Sequence, residues 1–141
     1  MEQTEMKNID YIMSLIDWNN AIDCQTAGIK MAEKVTDIEA FIQPCTKKYN
    51  KNVWDNCALI ISQKADAELL PYLSELFAWL QDMTWPGALC ILDRLRKYAV
   101  SPTFDSTLES CSKEAKAAKD YVWWNNLQIL KSARKNSTNS L

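Results

Sequence analysis

The sequence predicts an all-α protein, a single domain of stacked antiparallel helix pairs. Three observations predict it. Apolar residues recur with helical spacing almost throughout. Turn residues are scarce, two glycines and four prolines in 141 residues, whereas a sheet-rich fold needs many tight turns. Finally, Trp18, Trp54, Trp85 and Trp124 recur at intervals of 36, 31 and 39 residues, each just ahead of an apolar run. Intervals of that length hold two short helices, so the chain reads as a HEAT-like helical repeat. An ordinary helical bundle with its tryptophans in the core is the competing arrangement.

The elements follow in order. Helices are expected over 8–16, 18–34, 37–42 and 52–64, with 43–51, "QPCTKKYNK", as the clearest loop. From Asp66, Leu69, Leu73, Leu76 and Leu80 fall at i, i+4, i+7 and i+11, one apolar stripe. Asp66 is the expected N-cap, and Pro71 bends or restarts the first turn. A further stripe, Ala88, Ile91, Leu92 and Leu95, follows "MTWPG". Here Thr84 is the expected cap and Pro86 falls in the first turn, where its missing N–H costs little. Gly87 permits close approach of another backbone or of a tryptophan ring. The last helices are expected over 103–119 and 121–134. The domain thus covers 1–134, and 135–141, "KNSTNSL", without a large apolar residue before its final leucine, is a frayed tail.

Hydrophobic residues make up 48% and charged residues 24%, the composition of an ordinary globular protein. No apolar run approaches the ~18 residues that span a bilayer, and the start "MEQTEMKNID" is too polar for a secretory signal. A cytoplasmic protein without a membrane partner is expected. Five cysteines lack metal-type or redox-type spacing, which suits reduced thiols packed as small hydrophobes.

Histidine is absent, which removes the usual general base and the commonest neutral metal ligand. No phosphate loop, activated nucleophile or metal set is legible. No catalytic, cofactor or metal site is therefore expected, and the chain reads as a non-enzyme. Residues 1–70 carry 11 acids and 7 bases, residues 71–141 carry 7 acids and 9 bases, and the sum is −2. With a pI near 5.2, direct nucleic-acid binding is not expected. A glycosylase of HEAT-like fold would need a basic face and is disfavoured for that reason. The cluster Arg94, Arg96 and Lys97 reads as a last helical turn.

The candidate partner-binding residues are Glu68, Glu75, Trp79 and Asp82. The three carboxylates are spaced by seven, which puts them on one side of a continuous helix, and Trp79 lies about 40° from Glu75 at roughly 100° per residue. An acidic stripe beside an aromatic suits a basic partner. The same residues also suit a solvated face with Trp79 tucked beneath the next hairpin. Asp17, Asp23 and Asp55 form a second acidic set. Of the adjacent Trp123 and Trp124, only one can face the core. Asn19, Asn20, Asn56, Asn125 and Asn126, which follow tryptophans, suit capping or inter-helix hydrogen bonds.

Residues 52–98 resemble small all-helical, HEAT-like bacterial proteins, some of them immunity proteins of contact-dependent inhibition and other polymorphic toxin systems. The stretch "PYLSELFAWLQDMTWPGA", 71–88, carries most of the likeness. The resemblance implies an immunity protein that binds the cytotoxic C-terminal domain of its cognate toxin, a basic RNase or DNase, and blocks the active site or substrate path. A generic HEAT-like interaction adaptor without enzymatic activity is the alternative. Thiol titration of the denatured, unreduced protein should find all five cysteines free; three or one would mean disulfides.

Overall fold

The computed structural model describes residues 3–46 and 48–139, with side chains for 8–44, 46 and 48–135. Among the described residues every regular element is helical. The helices are α1 (Gln3–Leu15), α2 (Ile22–Ala32), α3 (Gln43–Thr46), α4 (Trp54–Ser62), α5 (Asp66–Leu69), α6 (Leu73–Ala78), α7 (Ala88–Arg96), α8 (Pro102–Ala117) and α9 (Tyr121–Asn139). Short 3-10 turns cover Ile38–Phe41, Lys51–Val53, Leu70–Tyr72 and Trp79–Gln81.

Local chemistry sets the boundaries. α2 starts four residues later than the expected 18, because Asp17 Oδ1 accepts the Asn19 N–H at 2.8 Å and competes with helix propagation. α8 begins at Pro102, with Ser101 as N-cap accepting the Phe104 N–H at 3.2 Å. α9 is capped by Asp120, whose Oδ1 accepts the Trp123 N–H, and runs to Asn139. Residues 135–139, expected as tail, are therefore helical, and Ser140 and Leu141 lie outside the described residues. Asp66 is not an N-cap but the first residue of α5. Pro71 does interrupt the segment, through the 3-10 turn that separates α5 from α6.

α7 begins at Ala88, so Thr84 does not cap it. Asp82 Oδ1 instead accepts both the N–H and the hydroxyl of Thr84, at 2.9 and 2.6 Å, and Gly87 takes a left-handed φ of 87°. Gly87 also sits against its neighbours. A Cβ there would lie 2.8 Å from Trp54 O, 2.8 Å from Ala58 Cβ and 2.9 Å from Trp79 Cζ2. The proline and glycine after Trp85 thus make a sharp turn pressed onto two other tryptophans.

Packing arranges the helices in rows. α2 lies beside α4, α4 beside α7 and α7 beside α9; opposite them α3 packs on α6 and α6 on α8. α8 and α9 are antiparallel, as Gln128–Ser112 and Lys131–Glu109 show. α2, α4 and α7, by contrast, run the same way. Asn56 pairs with Gln25 near the starts of α4 and α2, and Lys64 reaches Ala32, Glu33 and Val35 carbonyls at their ends. Gly87 faces Trp54 at the start of α7, and Arg94 binds the Lys64 carbonyl at its end. Each row helix starts just after or within one of the recurring tryptophan segments.

The core runs along the seam. Trp54 meets Trp79 and Trp85 edge-on at centroid distances of 6.2 and 5.7 Å, and Phe77 meets Phe104 edge-on at 5.2 Å. Trp123 is buried and donates to the Phe77 carbonyl at 2.9 Å, while Trp124 is only half-buried. Cys57 and Cys111 are buried, Cys90 is half-buried and Cys24 exposed, all as free thiols; the Cys45 side chain lies outside the described residues. Asp66 ties α5 to α7, accepting from Arg94 at 2.6 Å and from the Ala99 N–H at 3.0 Å. Burial pulls its carboxyl upward, but those two donors outweigh burial and hold it below the usual range.

Three outcomes follow for stability. Gly87→Ala meets both the left-handed φ and the clash, so it should cost about 2–4 kcal/mol, read as a fall of several degrees in Tm. Lys119 has φ 60° at the end of α8, so Lys119→Gly should gain about 0.5–1 kcal/mol. The depressed Asp66 carboxyl contributes stability that is full above its unfolded pKa and disappears as pH falls through the folded one. Asp66→Asn should therefore lower Tm at neutral pH and flatten its decline below about pH 5, in melts run across pH.

Candidate interaction surface

The segment that carries the predicted acidic stripe departs from regular α-helical geometry. The segment carrying it is not one helix: 3-10 turns at Leu70–Tyr72 and Trp79–Gln81 interrupt it, and Asp82 is extended at φ −141°. The three carboxylates sit in different local settings, while Leu69, Leu73, Leu76 and Leu80 of the same segment are all buried. Glu68 is exposed at α5, where its Oε1 accepts the Ala65 N–H at 3.4 Å. Glu75 is half-buried, and burial with Glu39 nearby holds its carboxyl above the usual range. The Asp82 carboxylate is engaged by Thr84, which holds it low. Trp79 has no exposed surface at all, and its indole N–H donates to the Pro86 carbonyl at 3.1 Å. An exposed aromatic anchor at Trp79 is thus corrected to a core residue, because the indole closes the "WPG" turn from inside.

Trp18 is the exposed tryptophan, at 45%, in the loop between α1 and α2, while Trp85 and Trp124 are half-buried. That loop is pinned from several sides. The Trp18 N–H donates to the Asn52 carbonyl at 3.1 Å. Asn20 Nδ2 caps α1 through the Ser14 and Leu15 carbonyls at 2.7 and 3.0 Å. Gln25 Nε2 binds the Trp18 and Asn20 carbonyls, and Asn56 Nδ2 bridges the Ile16 carbonyl and Gln25 Oε1 at 2.8 and 2.9 Å. Side-chain amides thus satisfy the backbone groups of a turn that has no helix to do so. Of the asparagines singled out in the sequence, Asn20, Asn56 and Asn126 do this; the last donates to the Leu80 carbonyl at 2.8 Å.

Ile22, 71% exposed at the first residue of α2, and Asp17, Asp23 and Asp55 lie on the segments that these loop bonds join. The loop hydrogen bonds bring them together: Asn52, bonded to Trp18, lies one turn before Asp55. Lys51 is turned onto the Trp54 ring, 5.7 Å from its centroid. The surface offers a rigid aromatic and an aliphatic side chain inside a negative setting. The sequence held one signal for it, Trp18 lying between Asp17 and a pair of asparagines, but the helix expected from 18 hid it.

The thiols of Cys57, Cys90 and Cys111 offer little nucleophilic character. Burial pushes Cys57 far above its usual range and Cys111 up to about 11. Among the described residues no group of three or more Cys, Asp or Glu side chains could hold a metal ion.

Residues 48–134 match the family described as Domain of unknown function (DUF5071). The match covers more than half of the chain, which belongs to that family. No curated protein and no solved structure matches. Trp18, Ile22, Asp17 and Asp23 lie outside the matched residues, and Asn52, Asp55 and Asn56 inside them.

The two tryptophans should behave oppositely in thermal melts. Trp79→Ala should cost about 3–5 kcal/mol, whereas Trp18→Ala, at the surface, should cost no more than about 1 kcal/mol.

Proposed function

We propose that this member of the DUF5071 family is an immunity protein acting in the cytoplasm. It binds the basic catalytic domain of a cognate toxin, a nuclease, and blocks its active site or substrate path. The observation that carries the reading is the Trp18 loop, whose backbone is fixed by hydrogen bonds, whose indole is half-exposed, and whose joined segments carry Asp17, Asp23 and Asp55. A tryptophan with few rotatable bonds on a pre-ordered loop loses little entropy on binding. Carboxylates around it attract the basic cleft with which a nuclease holds phosphate. The net charge of −2 has the same sign.

The stacking is read as HEAT-like. Parallel row helices, each preceded or opened by a tryptophan, are what successive hairpins of a repeat place side by side. In that reading the Trp18 loop belongs to the hairpin of α1 and α2.

The test uses the toxin domain encoded beside this gene. The wild-type chain should protect cells expressing that domain and bind it one to one in surface plasmon resonance. Trp18→Ala should speed dissociation about tenfold or more, since buried interface tryptophans are worth ~2 kcal/mol or more. The pair Asp23→Lys and Asp55→Lys should slow association, and added salt should do the same to the wild type. Glu68→Lys should change neither rate. Normal binding by both Trp18→Ala and the double reversal would remove this surface. Failure of the wild type to bind or protect would remove the inhibitor reading, and tight binding to a non-toxic partner would favour the adaptor.

A further inference from the structure

A cleft of about 590 Å³ opens between α1 and α2, at the far end of the hairpin from Trp18. Its volume falls among those of small-molecule sites, roughly 300–1,000 Å³. The cleft follows from two fixed contacts. Gly28 brings the helices together near the loop, where a Cβ would come within 2.6 Å of Ile16 Cγ2. At the other end Lys64 Nζ donates to the Ala32, Glu33 and Val35 carbonyls at 3.0–3.2 Å and holds the end of α2 against α4. One wall is therefore set in advance. Ile9, Ile12 and Val35 line the cleft with Ala27 and Met31. Ala27, Met31 and Lys34 fall at i, i+4 and i+7, so one face of α2 and the turn after it supply that wall.

The charges around the cleft are unequally committed. Lys30 and Lys34 border it and have no ion-pair or hydrogen-bond partner among the described residues. Asp37 also borders it, but its Oδ1 accepts the Glu39 N–H and caps the following turn. Glu33 is shared with a separate polar cavity of about 120 Å³ beside Lys64 and Glu68. Among the described residues, what remains open is an apolar floor bordered by two ammonium groups that make no ion pair.

We propose that this cleft binds a small amphiphile with an aliphatic chain and one anionic head group, the chain on Ile9, Ile12 and Met31 and the head between Lys30 and Lys34. Methionine suits such a floor because its unbranched thioether adapts to varied shapes. A carboxylate and a phosphate monoester share this chemistry, and the measurement separates them.

Isothermal titration calorimetry with decanoate, decyl phosphate and decylamine, each below its micelle-forming concentration, tests the site. Decanoate or decyl phosphate should bind one to one and raise Tm, the tighter of the two naming the head group, while decylamine should not bind. Ala27→Trp, which fills the cleft from an exposed position, and the double reversal Lys30→Glu with Lys34→Glu should each weaken binding at least tenfold. Both variants should keep the wild-type circular dichroism, and the double reversal should gain affinity for decylamine. Absence of saturable binding, equal binding of decylamine by the wild type, or binding untouched by Ala27→Trp would overturn the site. So would association with anionic vesicles alone and not with monomeric amphiphile.

Discussion

The contact of Trp79 with the turn at Pro86 and Gly87 is the constraint on which the rest of the structure depends. The indole is wholly buried, gives its N–H to the Pro86 carbonyl and lies against Gly87, where a Cβ would not fit. It orients the turn so that α7 leaves alongside α4. Trp54 and Trp85 then close edge-on around the same point. An aromatic cluster of this size buries a large apolar area and leaves few alternative packings. The left-handed glycine makes the arrangement specific, since the turn and the ring contact both fail with any larger residue.

Capping distributes that order over the remaining elements. Lys64, Arg94 and Arg134 reach carbonyls at the ends of neighbouring helices, and Asn20, Asn56 and Asn126 do the same from the tryptophan segments. A helix end leaves carbonyls that need donors. Short helices have many ends per residue, so the chain meets the demand with long or amide side chains from the next element. This is why the asparagines travel with the tryptophans: the ring fills the seam and the amide seals the end beside it.

The helical character of the chain was legible in its spacing, as were the interruption at Pro71, the packing role of Gly87 and the capping role of the asparagines. The direction of neighbouring helices was not, because periodicity gives a helix its buried face and says nothing of which helix covers it. The predicted docking residues show the same boundary. Spacing by seven aligns Glu68, Glu75 and Asp82 when the fifteen residues from 68 to 82 make one regular α-helix, and two 3-10 turns interrupt that stretch. Trp79 and Trp18 look alike in sequence. Contacts with Pro86, Gly87 and Trp54 bury the first, while the loop that carries the second is tied through its backbone to Asn52 and Gln25.

The common direction of α2, α4 and α7 has an electrical consequence. Their starts lie side by side along one edge, so their partial positive ends add where independent helices would scatter them. Asp23 and Asp55 sit in the first turns of α2 and α4 and offset that accumulation, each by about 0.3–1 kcal/mol. The carboxylates proposed to face a partner are thus also counter-charges for the protein's own backbone. Divergence toward a new partner is freer at Ile22 and Trp18, whose changes leave that balance alone, than at the two aspartates.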